Sequence, residues 1–133
     1  MRHFDRRSYD QVHGYFKLVQ IDIAVMFKYE EYKNFFVAVD VFSHKIFAEL
    51  MKTKTAKESI TCLKKIFDKA GLFPEEIQGD KDLAFIAPIT QHFFKKNNIF
   101  WHVKSGIGSK KASYAEWAIY KIKKIMYTEM YSE

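Results

Sequence analysis

Residues 17–51 read KLVQIDIAVMFKYEEYKNFFVAVDVFSHKIFAELM and contain three apolar segments separated by short polar stretches. The first segment, 17–26, combines alternating polarity with Val and Ile. The second, 34–42, is almost continuously apolar, and the third, 45–51, follows a short turn. Segments of this length and composition at close spacing are typical of β-strands joined as an antiparallel meander. The stretch therefore predicts three antiparallel strands, of which the first two form a hairpin.

A helical pattern begins directly after the third predicted strand. In TAKESITCLKKIFDKAG (55–71) the apolar residues recur three or four positions apart, which is the spacing of one helix face. Thr55 and Glu58 form a capping-box pattern, and Gly71 is a favourable helix stop. Cys62 falls on the apolar side of this helix, so we expect it to pack in the core.

The remainder of the chain alternates predicted strands and helices. In chain order these are a strand at 75–80, a helix at 83–97, a strand at 99–103 and a helix from 112 to about 131. Pro88 is expected to break the first of these helices or to delay its start, because proline lacks an amide donor. Three antiparallel strands followed by alternating elements predict an α/β fold with a mixed five-stranded sheet flanked by helices.

The composition fits one intracellular domain. The 133 residues are 48% hydrophobic, which is enough for a core and argues against disorder. A single cysteine excludes an internal disulfide and a cysteine-based zinc site. No apolar run approaches the roughly 20 residues of a membrane span, and the charged N-terminus lacks a secretion signal. We expect residues 1–14 to form an N-terminal arm, residues 15–133 to form the core domain, and the protein to be nuclear or otherwise intracellular.

The chain is basic and carries many of its lysines in pairs. Its formal net charge is +6 at pH 7, and a basic surface favours phosphate backbones. Lysine pairs such as Lys64-Lys65 on a predicted helix are also typical of a solvated helix face. Charge alone therefore leaves nucleic-acid binding and simple solvation both open.

Three acidic residues stand out by their positions. Asp22 interrupts an apolar strand, where a charge is unfavourable unless something compensates it. Asp80 ends the fourth predicted strand, at the place where open α/β sheets bind ligands, and Glu116 opens the last helix. Asp80 also has an interpretation as a turn or cap residue, and Glu116 as part of a capping box with Ser113. Asp82 is better explained as the cap of the helix that follows it.

Three further stretches occur in order along the chain. They are VAVDVFSHKIFAEL (37–50), IQGDKDLAF (77–85) and KKASYAE (110–116). Together with Asp22 they resemble the second and third strands, the D-N-G-x-x-F stretch and the K-A-x-x-E stretch of retroviral and retrotransposon integrase catalytic cores. This resemblance implies an RNase H-like fold with a D-D-E set of acids. The chain departs from the family pattern at Lys81, Asp82, Trp117 and Ile119. These departures indicate a divergent or transposon-derived member.

The resemblance implies metal-dependent phosphodiester transfer. Asp22, Asp80 and Glu116 would be the catalytic and metal-binding residues, with Asp22 shared by two Mg²⁺ or Mn²⁺ ions and each of the others completing one. Carboxylates suit these hard cations, and a pair of ions can serve both the attacking and the leaving oxygen. Water would attack in 3′-end processing and the freed 3′-hydroxyl in strand transfer. The expected enzyme is a DDE-type polynucleotidyl transferase.

The same resemblance implies DNA as the partner and a homodimer or higher oligomer. Lys110, Lys111 and Lys123 are the candidate DNA-binding residues, and Lys123 follows Glu116 by about two helical turns on the same face. No membrane partner is expected. Asp40 in the second strand is expected to be structural, because the family carries an acid there that is not a ligand.

Two other functions remain open. A domesticated, inactive core would bind DNA or a protein partner, and a nuclease of the same fold would cut without joining. Product analysis separates the nuclease from the integrase, and metal binding at the acids separates both enzymes from the inactive module. For the integrase, we expect the chain to be the catalytic core of a larger protein.

Overall fold

The fold is a five-stranded sheet with helices on both faces. The structure is a computed structural model that describes residues 14–104 and 114–131. Its elements, in chain order, are β1 (Leu18–Tyr29), β2 (Tyr32–Asp40), β3 (Ile46–Met51), α1 (Ala56–Ala70), β4 (Glu76–Gly79), α2 (Leu83–Ile86), α3 (Pro88–Lys96), β5 (Phe100–Val103) and α4 (Tyr114–Tyr131). The predicted N-terminal arm, apart from Gly14, lies outside the described residues.

The strands are ordered β3-β2-β1-β4-β5 across the sheet. β1 pairs antiparallel with β2, and β2 pairs antiparallel with β3. β4 runs parallel to β1, and β5 runs parallel to β4. The prediction of a mixed sheet with three antiparallel strands is therefore confirmed, and β1 is its central strand.

Apolar side chains cover both faces of the sheet, as β2 illustrates. Phe36 and Ala38 belong to the larger core cluster, which includes residues of α1, α2 and α3. Val37 and Val39 belong to a second cluster with Ala118 of α4. Alternate residues of a strand face opposite sides of the sheet, so a strand covered on both faces needs an unbroken apolar run. This explains why the second predicted strand shows no alternation.

α1 begins and ends where the sequence predicts. The Thr55 hydroxyl accepts a hydrogen bond from the Glu58 amide at 3.2 Å, and Gly71 ends the helix in the left-handed region with a φ of 85°. The Glu58 carboxylate accepts hydrogen bonds from the backbone amides of Lys52 at 2.7 Å and Thr53 at 3.2 Å. These bonds stabilise the connection between β3 and α1.

The predicted helix at 83–97 is broken at Pro88, as expected. The segment predicted as one helix is divided into α2 and α3, because Pro88 takes the first position of a new helix. The break changes the helical phase, and Ile89 is 51% exposed.

On α4, Ala118 is buried whereas Ile125 is 60% exposed, so the helix contacts the sheet through a narrow stripe. Among the described residues, no helix has the length and apolar character needed to cross a membrane.

Cys62 packs in the core, as predicted. It is 2% exposed and belongs to the larger apolar cluster beneath α1. Burial raises the pKa of its thiol to about 12. A thiol held in this protonated form is a poor nucleophile and a poor metal ligand, so Cys62 contributes to packing and not to a site.

Candidate active site

The three acids predicted from the sequence line one cleft. Asp22 comes from β1, Asp80 follows β4, and Glu116 lies in the first turn of α4. The cleft has a volume of about 60 Å³. β1 and β4 are parallel neighbours with Gln20 paired to Gln78. Asp22 and Asp80, two positions beyond these glutamines, therefore meet just past the last parallel-paired positions, at the carboxyl end of β4, and α/β folds bind ligands at such strand ends.

Asp22 is strongly affected by this environment. Burial raises its pKa from 3.8 to about 6, and the negative charges of Asp80, Asp82 and Glu116 act in the same direction. The Ile23 amide, which donates to Asp22 Oδ1 at 2.8 Å, opposes the rise. A carboxyl group buried among other carboxyl groups is stabilised by a proton or by a cation. The cleft is therefore a place where positive charge is favourable.

The donor atoms of the cleft suit a hard divalent cation. All three predicted ligands are carboxylates, and Mg²⁺ and Mn²⁺ prefer oxygen donors. Within residues 14–104 and 114–131, however, no three His, Cys, Asp or Glu side chains form a group that could hold a metal ion as they stand. The three acids therefore line one cleft and influence one another electrostatically, but their side chains are not arranged as a complete set of metal ligands.

Asp82 caps a helix, as the sequence predicts, and it also binds a lysine that sequence reasoning missed. Its Oδ1 accepts from the Ala84 amide at 2.9 Å at the start of α2, and its Oδ2 lies 2.8 Å from Lys54 Nζ. The hydrogen bond to Asp82 raises the pKa of Lys54, and Asp80 and Asp22 add to the effect. Lys54 belongs to the connection between β3 and α1, so only the fold brings its charge to the acids.

Sequence reasoning also missed three polar residues of the cleft, which are Gln20, Gln78 and Lys104. Gln20 Oε1 accepts hydrogen bonds from the backbone amides of Tyr114 at 2.9 Å and Ala115 at 3.2 Å. Gln20 Nε2 donates to Gln78 Oε1 at 2.8 Å. The signal that the sequence contains is a glutamine inside an apolar strand, which is costly unless its amide is hydrogen-bonded.

The predicted phosphate contacts are described only in part. Lys110 and Lys111 lie outside the described residues, as does Ser113 of the predicted capping box. Lys123 lies on α4 and is half-buried, about two turns after Glu116. The structure therefore places one of the three lysines on the helix that carries the third acid.

The exposed face of α4 combines aromatic and basic side chains. Lys121 Nζ lies 5.1 Å from the centroid of the Trp117 ring, and Lys124 Nζ lies 5.9 Å from that of the Tyr120 ring. The Tyr120 side chain is largely exposed. Pairs of a lysine and an aromatic ring like these contribute modest attraction at exposed sites. In the chain, this face starts one residue after Glu116.

Asp40 has the structural role expected of it. Its Oδ1 accepts hydrogen bonds from the amides of Phe16 at 3.0 Å and Phe42 at 3.3 Å. Its Oδ2 accepts from the Ser43 amide at 3.2 Å and from the Ser43 hydroxyl at 2.6 Å. These bonds join the turn after β2 to the segment before β1, and they leave Asp40 without a role in the cleft.

Comparison with protein families gives a match over most of the chain. The family model described as Integrase core domain matches residues 13–105, which is more than half of the 133 residues. The matched residues include Asp22 and Asp80, whereas Glu116 lies beyond them. No curated protein sequence matches the chain.

Several solved retroviral structures are similar to this one. The simian T-cell lymphotropic virus intasome in complex with PP2A regulatory subunit B56 gamma has a TM-score of 0.77 and 24% identity, over 87% of this chain and 41% of that chain. The HTLV-2 integrase catalytic core domain in complex with magnesium, in its dimeric form, has a TM-score of 0.72 and 23% identity, over 90% and 77% of the two chains. The catalytic core domain of BIV integrase has a TM-score of 0.69 and 17% identity, over 85% and 71%. This chain thus spans less than half of the simian virus protein chain to which it is similar.

The family match and the structural similarities agree with the topology of the sheet. Three antiparallel strands are followed by two parallel strands, with helices on both faces. The acid cleft lies where the parallel pairing of β1 with β4 ends. The chain belongs to the integrase core domain family, and its fold is the RNase H-like fold of retroviral integrase catalytic cores.

Proposed function

We propose that the chain is a DDE-type integrase core that processes DNA 3′ ends and joins them to target DNA by metal-dependent phosphodiester transfer. The observation that carries this proposal is the shared cleft of Asp22, Asp80 and Glu116. Carboxylates gathered at this end of an α/β sheet are suited to hold divalent cations against a phosphate. Membership of the integrase core domain family supports the same conclusion.

Asp22, Asp80 and Glu116 would hold Mg²⁺ or Mn²⁺. They fit such ions because all three offer oxygen donors, and because burial and neighbouring negative charge raise the pKa of Asp22 to about 6. A cation would relieve this unfavourable environment. Bound ions would supply charge stabilisation at the phosphate and activation of the attacking oxygen. The HTLV-2 integrase core, which has a similar fold, has a structure in complex with magnesium.

Other side chains would arrange charge around the phosphate. Asp22 is ionised above a pH of about 6, and in that form it is able to bind a cation. Lys54 holds Asp82 in an ion pair at 2.8 Å, so Asp82 remains a helix cap and does not compete as a ligand. Lys104 lines the cleft from the end of β5 and would offset the charge of an incoming phosphate.

DNA would extend from the cleft along α4. Lys123 lies on this helix, and Lys110 and Lys111 precede it in the chain. A net charge of +6 favours a polyanionic partner. These three lysines are therefore the proposed phosphate contacts. Substituting any one of them is expected to reduce DNA affinity and to reduce its salt dependence by about one phosphate contact.

We further propose that the core works as a homodimer or larger assembly, in the nucleus or elsewhere inside the cell. HTLV-2 integrase cores have dimeric and trimeric forms, and the simian virus protein is part of an intasome. Exposed apolar side chains such as Phe42 and Phe100 offer surface for subunit contacts. Sedimentation equilibrium over a range of concentrations tests this, and a monomer throughout the range would contradict it.

Resolution of a pre-joined branched DNA tests the catalytic proposal, because this reaction is the reverse of strand transfer. The parent chain, Asp80→Asn and Glu116→Gln are incubated with the substrate and Mn²⁺. Asp68→Asn is the matched control, since Asp68 is an exposed acid on α1. We expect the parent and the control to resolve the branch and the two cleft variants to lose roughly 100-fold or more, the upper end of what residues that merely orient metal ligands lose. Resolution that survives in both cleft variants would contradict the proposal.

An inactive module that binds DNA or protein is the second candidate. It is favoured by the departures from the family pattern at Asp82 and Trp117. No resolution of branched DNA, together with no Mn²⁺ binding by the same sample, would establish this alternative. A nuclease of the same fold is distinguished by its products, because it releases ends without rejoining strands.

A further inference from the structure

A pair of glutamine side chains at the acid cleft joins three secondary-structure elements. Gln20 in β1 is only 9% exposed, and its parallel partner in β4 is Gln78. Gln20 Nε2 donates to Gln78 Oε1 at 2.8 Å. Gln20 Oε1 accepts from the backbone amides of Tyr114 at 2.9 Å and Ala115 at 3.2 Å. One side chain thus connects the central strand both to its neighbour and to the start of α4.

The orientation of both side-chain amides follows from the helix. The first backbone amides of a helix have no acceptor within the helix, so Tyr114 and Ala115 need an acceptor from elsewhere. Gln20 must therefore direct its oxygen toward α4, which leaves its NH₂ group for Gln78. Gln78 must in turn present its oxygen to Gln20. All of these bonds form in a single arrangement of the two amides, so the link has a defined geometry.

The three residues that this link joins, Gln20, Gln78 and Tyr114, each lie two positions before one of the acids. Asp22 and Asp80 each follow their glutamine by two positions, and Glu116 follows Tyr114 by two positions. Residues two apart along a strand lie on the same face of the sheet, and both glutamines line the same cleft as the acids. β1 and β4 are already paired as neighbouring strands at this point, so the link sets the position of the start of α4 relative to the two strands, immediately beside the carboxylates.

The carboxylates do not hold these segments together by themselves. Like charges that share a cleft repel each other, so the acids favour a wider separation of α4 from the paired strands β1 and β4. The hydrogen bonds of Gln20 act in the opposite direction. They are buried or partly buried, where water competes little and where a broken bond is costly.

We propose that the Gln20–Gln78 pair is the positioning device of this site, which fixes the start of α4, and with it Glu116, against Asp22 and Asp80. The purpose of this geometry, to accept a divalent cation, rests on the proposed function, whereas the fixing of α4 does not. The glutamines hold backbone segments and act on the reaction only through the acids. They are therefore positioning residues and not catalytic residues.

Four variants test the proposal. Gln20→Leu removes the link and keeps the approximate size of the side chain. Gln78→Met removes only the partner that orients Gln20. Because Gln78 is half-buried, we expect this variant to fold even if Gln20→Leu does not. Gln20→Glu restores a side-chain oxygen that faces α4. Gln91→Leu is the matched control, since Gln91 Nε2 donates to the Phe85 carbonyl at 2.8 Å in a part-buried bond outside the cleft.

Two measurements are made on each variant. Residue-resolved amide hydrogen exchange, without metal, reports the protection of the Tyr114 and Ala115 amides, and calorimetric titration reports the affinity for Mn²⁺. Gln20→Leu is expected to accelerate exchange at both amides roughly tenfold and to weaken Mn²⁺ binding roughly tenfold. Gln78→Met should produce smaller changes in the same directions. Gln20→Glu should keep the protection, and the control variant should match the parent in both measurements.

The outcomes separate this proposal from the proposed function. Unchanged exchange at Tyr114 and Ala115 in both Gln20→Leu and Gln78→Met would overturn the positioning role. Faster exchange at these amides, combined with a Mn²⁺ affinity within about twofold of that of the parent, would also overturn the positioning role. Residues that orient metal ligands are expected to cause a larger loss of affinity than this. If the parent itself binds no Mn²⁺, the proposed function fails, and the exchange data alone decide whether the pair fixes α4.

Discussion

Two aspartates on neighbouring strands, Asp22 and Asp40, have similar sequence surroundings and opposite environments. Asp40 is fully buried and accepts four hydrogen bonds from nearby amides and a hydroxyl. Asp22 accepts a bond from the amide of the next residue, and burial and neighbouring carboxylates raise its pKa to about 6. A buried acid surrounded by donors stabilises the fold. A half-buried acid surrounded by other acids, as Asp22 is, is stabilised by a proton or by a cation.

The largest expected effect is the loss of stability when Asp40, whose two oxygens both accept hydrogen bonds, is changed. Asp40→Asn replaces one acceptor oxygen by an NH₂ group, which leaves at least one of the donors from Phe16, Phe42 and Ser43 facing another donor. The free energy of unfolding is expected to fall by roughly 3 kcal/mol or more, because buried donors lose their partners. Urea denaturation measures this, with Asp68→Asn as the control. A change below about 1 kcal/mol, the size of one ordinary net hydrogen bond, would mean that Asp40 is not the structural centre described above.

The second prediction concerns Asp22, where the expected change in the free energy of unfolding has the opposite sign. Asp22→Asn keeps an oxygen for the Ile23 amide and removes the charge from among the other carboxylates. In metal-free buffer at pH 8 the variant is expected to be more stable than the parent by roughly 1–2 kcal/mol, a value reduced for the partial exposure of the site. The same urea experiment measures it. A destabilised Asp22→Asn would show that Asp22, like Asp40, serves the fold.

The pH dependence of that difference sharpens the comparison. The pKa of Asp22 is raised in the folded state from 3.8 to about 6, so the fold favours its protonated form. Below a pH of about 3.8 the carboxyl is protonated in both states, and the parent and Asp22→Asn should be similarly stable. As the pH rises through about 6, the parent should lose stability relative to the variant. Unfolding free energies at a series of pH values check this, and a difference independent of pH would contradict it.

The smallest expected effect concerns the lysine next to the acids. Lys54→Gln removes the cation that binds Asp82 at 2.8 Å, but Lys54 is 45% exposed. The free energy of unfolding should therefore fall by less than about 1 kcal/mol. Mn²⁺ binding should strengthen a few-fold, because a competing positive charge is removed from the field of Asp80 and Asp22. Calorimetric titration of the variant measures this. Weaker binding would show that Lys54 orders the cleft instead of competing for it.

Much of the architecture was predictable from local patterns. The near-continuous apolar run of β2 and the helical spacing of α1 specify elements that the structure confirms. Asp82 was predictable as a cap because a side-chain acceptor at a helix start has a local function. Asp22 was noticeable because a charge inside an apolar strand needs compensation.

The contacts that could not be predicted from the sequence depend on the register of the strands and on the paths of the loops. Gln20 and Gln78 meet only because β1 and β4 pair in parallel at those two positions, and no local pattern encodes this pairing. Lys54 reaches Asp82 through the connection between β3 and α1. The exposure of Ile89 follows from the new helical phase that begins at Pro88. Long-range pairing and phase changes of this kind are properties of the folded chain.

The most direct test of the central claim is a Mn²⁺ titration of the metal-free protein at pH 8, with Asp22→Asn, Glu116→Gln and the control Asp68→Asn measured beside the parent. The cleft is predicted to bind Mn²⁺ in the parent and in the control, and binding should be at least about tenfold weaker in each cleft variant. Equal binding in all four proteins, or no binding by the parent, would contradict the claim that Asp22, Asp80 and Glu116 form one metal-dependent site.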